Sequence, residues 1–384
     1  MTDMTTRIEW VEGGEMRSAL WRSESGWPAP KKVVLADDTM SADAAYRLAL
    51  EGTALLWRGD FQNARQLLQA LVRRIEHKGE RGRRAKPKAP ATPTEAFHRH
   101  RLTQLQRART LAMVLIPFEA DHGIPLRRAP DARLACLEAY GPATEPYVAS
   151  LRELLGVIGA HEWRRKGVMI PALDDRIHPW YGVFSPVRGE YVELVAQAPL
   201  PANAKVAFDV GAGTGVLSAV LARRGMRVVA TDMDARALGC ARENVARLGL
   251  AAQVEVVQAD LFPHGHARAP LVVCNPPWLP GKPSSAIEYA IYDPDSRMLR
   301  GFLGGLKEHL EPGGEGWLIM SDFAEHLGLR SREQLLGWIG DAGLEVVARH
   351  DTRPVHPRAS DADDPLHAAR SKEVTSLWRL RAAD

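Results

Sequence analysis

Hydrophobic positions change their period about midway along the chain. In the first half they recur at helical spacing. TALLWRGDFQNARQLLQALVRRIEH (53–77) brings Leu67, Leu71 and Ile75 onto one face, and AFHRHRLTQLQRARTLAMVLI (96–116) resumes the pattern, as do stretches around 131–139 and 147–160. These positions predict a helical N-terminal domain over residues 1–170. Within it, KGERGRRAKPKAPATPTE (78–95) is Gly, Pro and basic residues with almost nothing to bury, and reads as a linker. From about residue 170 short β-branched runs alternate with helical segments. KVAFDV (205–210), RVVATD (227–232), VEVVQAD (254–260), LVVCN (271–275), GWLIMS (316–321), LEVVARHD (344–351) and VTSLWRL (374–380) read as seven strands. VLSAVLARR (216–224), ARALGCARENVARLG (235–249), SRMLRGFLGGLKEHL (296–310) and SREQLLGWIGDAG (331–343) read as the helices between them. Such alternation implies an α/β domain over 171–384, built on a parallel, doubly wound sheet. The polar, Pro-containing stretch 352–373 reads as a surface loop.

Composition narrows the class. With 384 residues, 45% hydrophobic and 25% charged, the chain has room for one large and one smaller domain, each with its own core. No apolar run approaches the roughly 20 residues of a membrane span. The start, MTDMTTRIEW, has no basic end followed by an apolar stretch, so no secretion signal is expected. Cys136, Cys240 and Cys274 are odd in number and far apart, which fits neither a disulfide framework nor a CxxC metal site, and the expected location is the cytoplasm. The histidine pairs His98/His100, His264/His266 and His350/His356 lack ligand spacing, so no metal is expected. Net charge is +3, but residues 1–170 hold 27 Lys and Arg against 20 Asp and Glu, and the remainder 23 against 27. Six basic residues fall within 78–88. A basic front half suits an RNA- or ribosome-facing accessory domain, and an Arg-rich solvated surface accounts for it equally.

The candidate chemistry lies where strands end. FDVGAGTG (208–215) follows the first strand of the second half and opens a helix. Gly211, Gly213 and Gly215 allow a sharp turn and the close approach of a ligand to the backbone. The helix N-terminus beyond offers free N–H groups. A dinucleotide fingerprint would need glycine at 216, where the chain has Val216, so the spacing is GxGxG. The next strand ends in Asp232, 21 residues after Gly211, where a carboxylate can accept both hydroxyls of an adenosine ribose. The third ends at Asp260 in QADLF, placed to accept from an adenine amino group or to cap a turn. Asp234 reads as a helix cap.

The fourth strand stops at LVVCNPPWLP (271–280). An amide or exocyclic amino nitrogen is a poor nucleophile because its lone pair is delocalised. Hydrogen-bond acceptors for both of its N–H groups favour a pyramidal nitrogen whose lone pair can attack. Asn275 offers a side-chain carbonyl and Pro276 a backbone carbonyl, while the rings of Pro276 and Pro277 stiffen the corner and remove competing donors. Trp278 offers a flat face for a planar base or amide.

Together DVGAGTG, the acid of ATDMD, QADLF and NPPW resemble the class I S-adenosylmethionine-dependent methyltransferases over residues 171–384. Asn-Pro-Pro-aromatic is similar to the motif of those that methylate planar nitrogens, including adenine-N6 and guanine-N2 methyltransferases and the HemK-type protein-glutamine methyltransferases. The resemblance implies a Rossmann-like fold and S-adenosylmethionine as cofactor. It implies Asp209, Gly211, Gly213, Gly215, Asp232, Asp260 and Asn275 as cofactor-binding, and Asn275, Pro276, Pro277 and Trp278 as the catalytic corner. It also implies that positioning, without a strong general base, carries the reaction.

Upstream, WYGVFSPVRGEYVELV (180–195) is similar in placement to the segment before the glycine loop of the HemK-type enzymes, which implies substrate contacts for Phe184, Pro186 and Arg188, with packing under the active site as the competing role. The segment departs from that pattern: Arg188 stands two residues after Pro186 instead of next to it, and Glu190-Tyr191 replaces the usual Thr-Glu. The expected acceptor is a protein glutamine or an RNA base, in the translation machinery, with the N-terminal domain recognising the substrate. RNA is preferred to DNA adenine because no separate DNA-reading module is recognisable. A non-catalytic cofactor-binding scaffold is the rival reading, and the intact Asn275 argues against it. Val216 and NPPW disfavour a nicotinamide-dependent oxidoreductase.

Overall fold

The structure, a computed structural model, describes residues 6–81, 90–187, 189–202, 204–265, 267–283, 286–355 and 361–383. Its chain forms two compact units: Met1–Ala91 with His98–Glu162, and Thr92–Phe97 with Trp163–Asp384.

The first unit corrects the helical expectation, because a sheet of six strands among the described residues runs through it. β1 (Arg7–Glu12), β2 (Glu15–Trp21), β3 (Lys32–Ala36), α1 (Ala42–Leu50), β4 (Thr53–Trp57), α2 (Phe61–Arg81), α3 (Pro93–Leu111), β5 (Val114–Phe118), α4 (Arg133–Tyr140), β6 (Tyr147–Ser150) and α5 (Leu151–Lys166) follow in order. The strands lie in the order β1-β2-β6-β5-β4-β3. β3, β4 and β5 are parallel, and β6 pairs antiparallel with β5. TALLW and VLIPF, both taken for helix, are β4 and β5, and every residue in them is buried. A short, wholly apolar run shows neither period, so the helices beside it set the reading. Breakers mark the true boundary: Asp60 Oδ1 accepts from the Gln62 N–H at 2.8 Å, opening α2 after a gap of three residues from the end of β4. The expected linker is partly helical, since α2 runs to Arg81 and α3 starts at Pro93; its residues 82–89 lie outside the described residues.

The second unit opens with an antiparallel hairpin of β7 (Val168–Ile170) and β8 (Asp175–Ile177), then α6 (Glu190–Gln197). Next come β9 (Val206–Val210), α7 (Val216–Arg223), β10 (Arg227–Asp232), α8 (Ala235–Arg247), β11 (Val254–Gln258), β12 (Ala269–Cys274) and α9 (Arg297–His309). β13 (Leu310–Ser321), α10 (Phe323–His326), α11 (Arg332–Asp341), β14 (Leu344–Thr352), α12 (His367–Arg370) and β15 (Thr375–Ala382) complete it. Among the described residues the sheet has seven strands in the order β11-β10-β9-β12-β13-β15-β14, a Rossmann-like doubly wound arrangement.

One difference from the expected all-parallel sheet is β15, antiparallel to both β13 and β14. Glu315 on β13 is fully buried there and accepts from Arg379 Nε at 2.7 Å and from Arg381 Nη2 at 2.8 Å. Burial pushes its carboxyl up, and bonds from Arg379, Trp317 and Arg381 together outweigh that and bring it below the usual range. Clusters of buried side chains cover both faces of the sheet, one centred on Val216–Ala222 of α7, the other on Leu299, Phe302, Leu303 and Leu306 of α9. The stretch 352–373 is more than a surface loop: Leu366 and Ala369 are buried against Leu279, Phe323 and Leu327, and residues 356–360 lie outside the described residues.

Candidate active site

β9 lies between β10 and β12, so the loop after β9 is flanked by Asp232 on one side and Asn275 on the other. This is the point where the strand order reverses, and ligands of open α/β sheets bind at the carboxyl ends of the strands there.

The glycine loop is fixed by its neighbours. Gly211 and Ala212 both donate to the Thr231 carbonyl at 2.9 Å, and Gly213 N donates to Asp232 Oδ2 at 3.0 Å. Gly211, Gly213 and Gly215 all have positive φ, at 79°, 53° and 77°. Conformation is what favours glycine at 211; a Cβ there would fall 2.5 Å from Met298 Cε, the end of a flexible side chain that can move aside. At Gly213 a Cβ would meet no protein atom within 4 Å, which leaves the backbone open to a ligand.

Asp232 is half-buried and also accepts from Asp234 N at 2.9 Å; burial raises its pKa above the ordinary carboxylate value. Asp234 itself caps α8 through the Arg236 N–H at 2.9 Å. Asp209 sits beneath the loop, 1% exposed, and accepts from the Ser218 hydroxyl in the first turn of α7. Burial raises its pKa to about 6 against that hydrogen bond. Its place is under the loop, where it joins the strand end to α7.

Asp260 is exposed and accepts from Arg297 Nη2 at 2.6 Å, so an adenine amino group would compete with Arg297 for it. The first turn of α9 thus reaches two strand ends, with Arg297 on Asp260 and Met298 on Gly211. Buried Asp293 sets that turn by accepting from Met298 N at 3.0 Å and Leu299 N at 3.1 Å. Asn244, buried in α8, accepts from His178 N at 2.8 Å and donates to the Thr214 carbonyl of the loop at 3.1 Å.

At the end of β12, Asn275 is half-buried, Pro276 buried, and Pro277 and Trp278 half-buried. The Trp278 indole Nε1–H donates to Asn275 Oδ1 at 2.8 Å. A carbonyl oxygen has two lone pairs, so one remains for another donor. The indole packs against both hydrophobic clusters of the sheet. Arg330, between α10 and α11, is 3% exposed and brings Nη2 within 3.5 Å of the Trp278 carbonyl. Of the upstream candidates, Phe184 is half-buried and Pro186 buried, in a segment whose Trp180 and Val183 pack on α8; Arg188 lies outside the described residues.

Ser218, Asn244, Asp293, Met298 and Arg330 were not anticipated from the sequence. Asn244 carried a signal, as a polar, weakly helix-forming residue inside a helix. Asp293 did too, in the helix-opening string YDPDS.

A family model described as "Methyltransferase small domain" matches residues 177–334. The tRNA1(Val) (adenine(37)-N6)-methyltransferase of Shewanella loihica is 31% identical over 176 residues, covering 43% of this chain and 69% of that protein. The chain belongs to the methyltransferase small-domain family. Within that family it is also similar to the ribosomal RNA small subunit methyltransferase C of Alcanivorax borkumensis, at 32% identity over 49% of this chain and 53% of that protein. The release factor glutamine methyltransferase of Cereibacter sphaeroides is 28% identical over 41% of this chain and 58% of that protein. The chain spans a little over half the length of these last two relatives.

The methyltransferase cofactor, S-adenosylmethionine, suits the residues present. Open space over Gly213 and the carboxylate of Asp232 fit an adenosyl group. Among the described residues no group of three or more His, Cys, Asp or Glu could hold a metal ion. His266 and His356, from two of the histidine pairs, lie outside those residues. No helix among the described residues is long and apolar enough to cross a membrane.

Proposed function

We propose that the chain is an S-adenosylmethionine-dependent N-methyltransferase whose acceptor is an amino group on an RNA base. The observation that carries the reaction class is the Asn275 corner, one strand from the glycine loop, with an amide oxygen that keeps a lone pair for an incoming N–H. Bound S-adenosylmethionine supplies an electrophilic methyl group. Gly213 and Asp232 hold the adenosyl part, Asn275 Oδ1 and the Pro276 carbonyl accept from the acceptor's N–H groups, and the open part of the Trp278 ring stacks on its plane. Orientation of the nitrogen lone pair does most of the work.

RNA is favoured by the basic first half, with 27 Lys and Arg against 20 Asp and Glu, and by two RNA-named relatives. The first unit then recognises the substrate. A protein glutamine is the second reading, favoured by the similarity to a release factor glutamine methyltransferase and by the 180–195 segment with Phe184, Pro186 and Arg188. Buried, unpaired thiols at all three cysteines suit the cytoplasm.

The test is incubation with cofactor carrying a radioactive methyl group and an extract from cells lacking the gene. Label released by ribonuclease supports the RNA reading, and label destroyed only by protease replaces it with the glutamine reading. Asn275→Ala should lower methyl transfer by about 100-fold or more while cofactor affinity stays near wild type. Loss of cofactor binding in that variant would refute the role given to Asn275.

A further inference from the structure

We propose that the Asn275 amide is oriented by a two-link chain in which Trp278 and Arg330 are positioning residues. The inference rests on the N-methyltransferase reading of the corner. An asparagine amide has two orientations of similar shape and opposite chemistry. With Oδ1 toward the acceptor nitrogen it receives an N–H; flipped, it presents its own N–H groups and repels the substrate. An indole is a donor only. The 2.8 Å bond from Trp278 Nε1 therefore fixes which end of the Asn275 amide is oxygen, and holds that oxygen at the corner.

The indole can do this only if it is itself held. Its ring is packed against buried side chains on both faces of the sheet, and its carbonyl lies 3.5 Å from Arg330 Nη2. Arg330 is 3% exposed, and its Nε is buried with no hydrogen-bond partner among the described residues. Burial pulls the guanidinium pKa down, while Glu325 and Asp293 oppose that. A charged group with five donors is costly to bury with so few acceptors. What it meets here is the backbone of the catalytic corner. A phenylalanine at 278 would keep a flat aromatic face and lose the orienting N–H.

The experiment compares wild type with Trp278→Phe, with an isosteric benzothienylalanine at 278, with Arg330→Met and with Arg330→Lys. Loss of one neutral hydrogen bond predicts a fall in kcat of about 10-fold for Trp278→Phe and for benzothienylalanine, with cofactor Kd and acceptor KM unchanged. Arg330→Met should fall similarly and Arg330→Lys recover most of the loss. Wild-type kcat in Trp278→Phe, a loss confined to KM, or full activity in Arg330→Met would overturn the chain. Indole 15N–1H spectra give a readout independent of activity. The signal that disappears in Trp278→Phe should shift in Asn275→Ala and in Arg330→Met. If it shifts while wild-type protein transfers no methyl group, the chain stands and the N-methyltransferase reading fails. If it stays still in both variants, the chain fails whatever the activity.

Discussion

Asp232 binds two backbone N–H groups, one from the glycine loop and one from the start of α8, with the two oxygens of a single carboxylate. Each oxygen has a further lone pair for a ribose hydroxyl. Asp232→Asn keeps the shape, removes the charge and sets an NH2 donor against one of the two backbone N–H groups, so cofactor Kd should rise about 10-fold or more, read by calorimetry, with some loss of stability. Wild-type affinity in that variant would move the ribose subsite elsewhere. At this scale the sequence was informative where chemistry needs a particular residue at a strand end. Asp232, Asn275 and the three glycines stand out for that reason, and the structure brings them to neighbouring strand ends. Arg330 and Met298 were not, because they reach the site from α9 and from the α10–α11 turn, and long-range packing leaves no local pattern.

Gly211 links two elements. Its backbone turns the chain at φ 79°, and the missing side chain admits Met298 from the first turn of α9. Gly211→Ala should destabilise the protein by roughly 2 kcal/mol, chiefly through strain at positive φ and to a lesser extent through displacing the flexible end of Met298, measured by urea unfolding. Adding Met298→Ala should restore the steric share only, since the φ strain remains; full restoration would show that conformation is unimportant there. Elements were read well wherever strands alternate with helices at full length, as from β9 to β14. They were misread in the first unit because TALLW is five buried residues separated from the amphipathic α2 by only Arg58, Gly59 and Asp60. β15 was found but its direction was not, because direction depends on which neighbours it pairs with, and a strand's own sequence does not record that.

Each unit holds a carboxyl whose pKa is raised, chiefly by desolvation, buried at Asp209 and half-buried at Glu153. In the second unit Asp209 rises from 3.8 to about 6; in the first, Glu153 rises from 4.5 to about 7. Glu153 accepts from Glu24 N at 3.0 Å and from the Tyr140 hydroxyl at 3.1 Å, which only partly offsets its burial. A raised folded pKa means that the native state holds the proton longer than the unfolded chain. The associated stability is present below the unfolded pKa and is lost as pH rises through the folded one. Asp209 should therefore cost roughly 3 kcal/mol between about pH 4 and pH 6, at 1.4 kcal/mol per unit. Wild-type Tm should fall from pH 5 to pH 8. Asp209→Asn and Glu153→Gln should each flatten that fall, the first in the second unit and the second in the first. A pH dependence unchanged by either substitution would show that both acids are solvated.

β15 has a consequence for how the protein is made. It is the last strand of the sheet in sequence, yet it lies inside it, between β13 and β14. While the chain emerges from the ribosome, β13 and β14 have no hydrogen-bond partners for their facing edges until Thr375–Ala382 arrives. Glu315 waits equally long for Arg379 and Arg381. Exposed edges of this kind invite pairing with other chains. The Asn275 corner after β12 is therefore complete in sequence about a hundred residues before the sheet that supports it can close. A nascent chain is most exposed to aggregation and to chaperones in that interval, and a stop codon just before Thr375 would make the interval permanent.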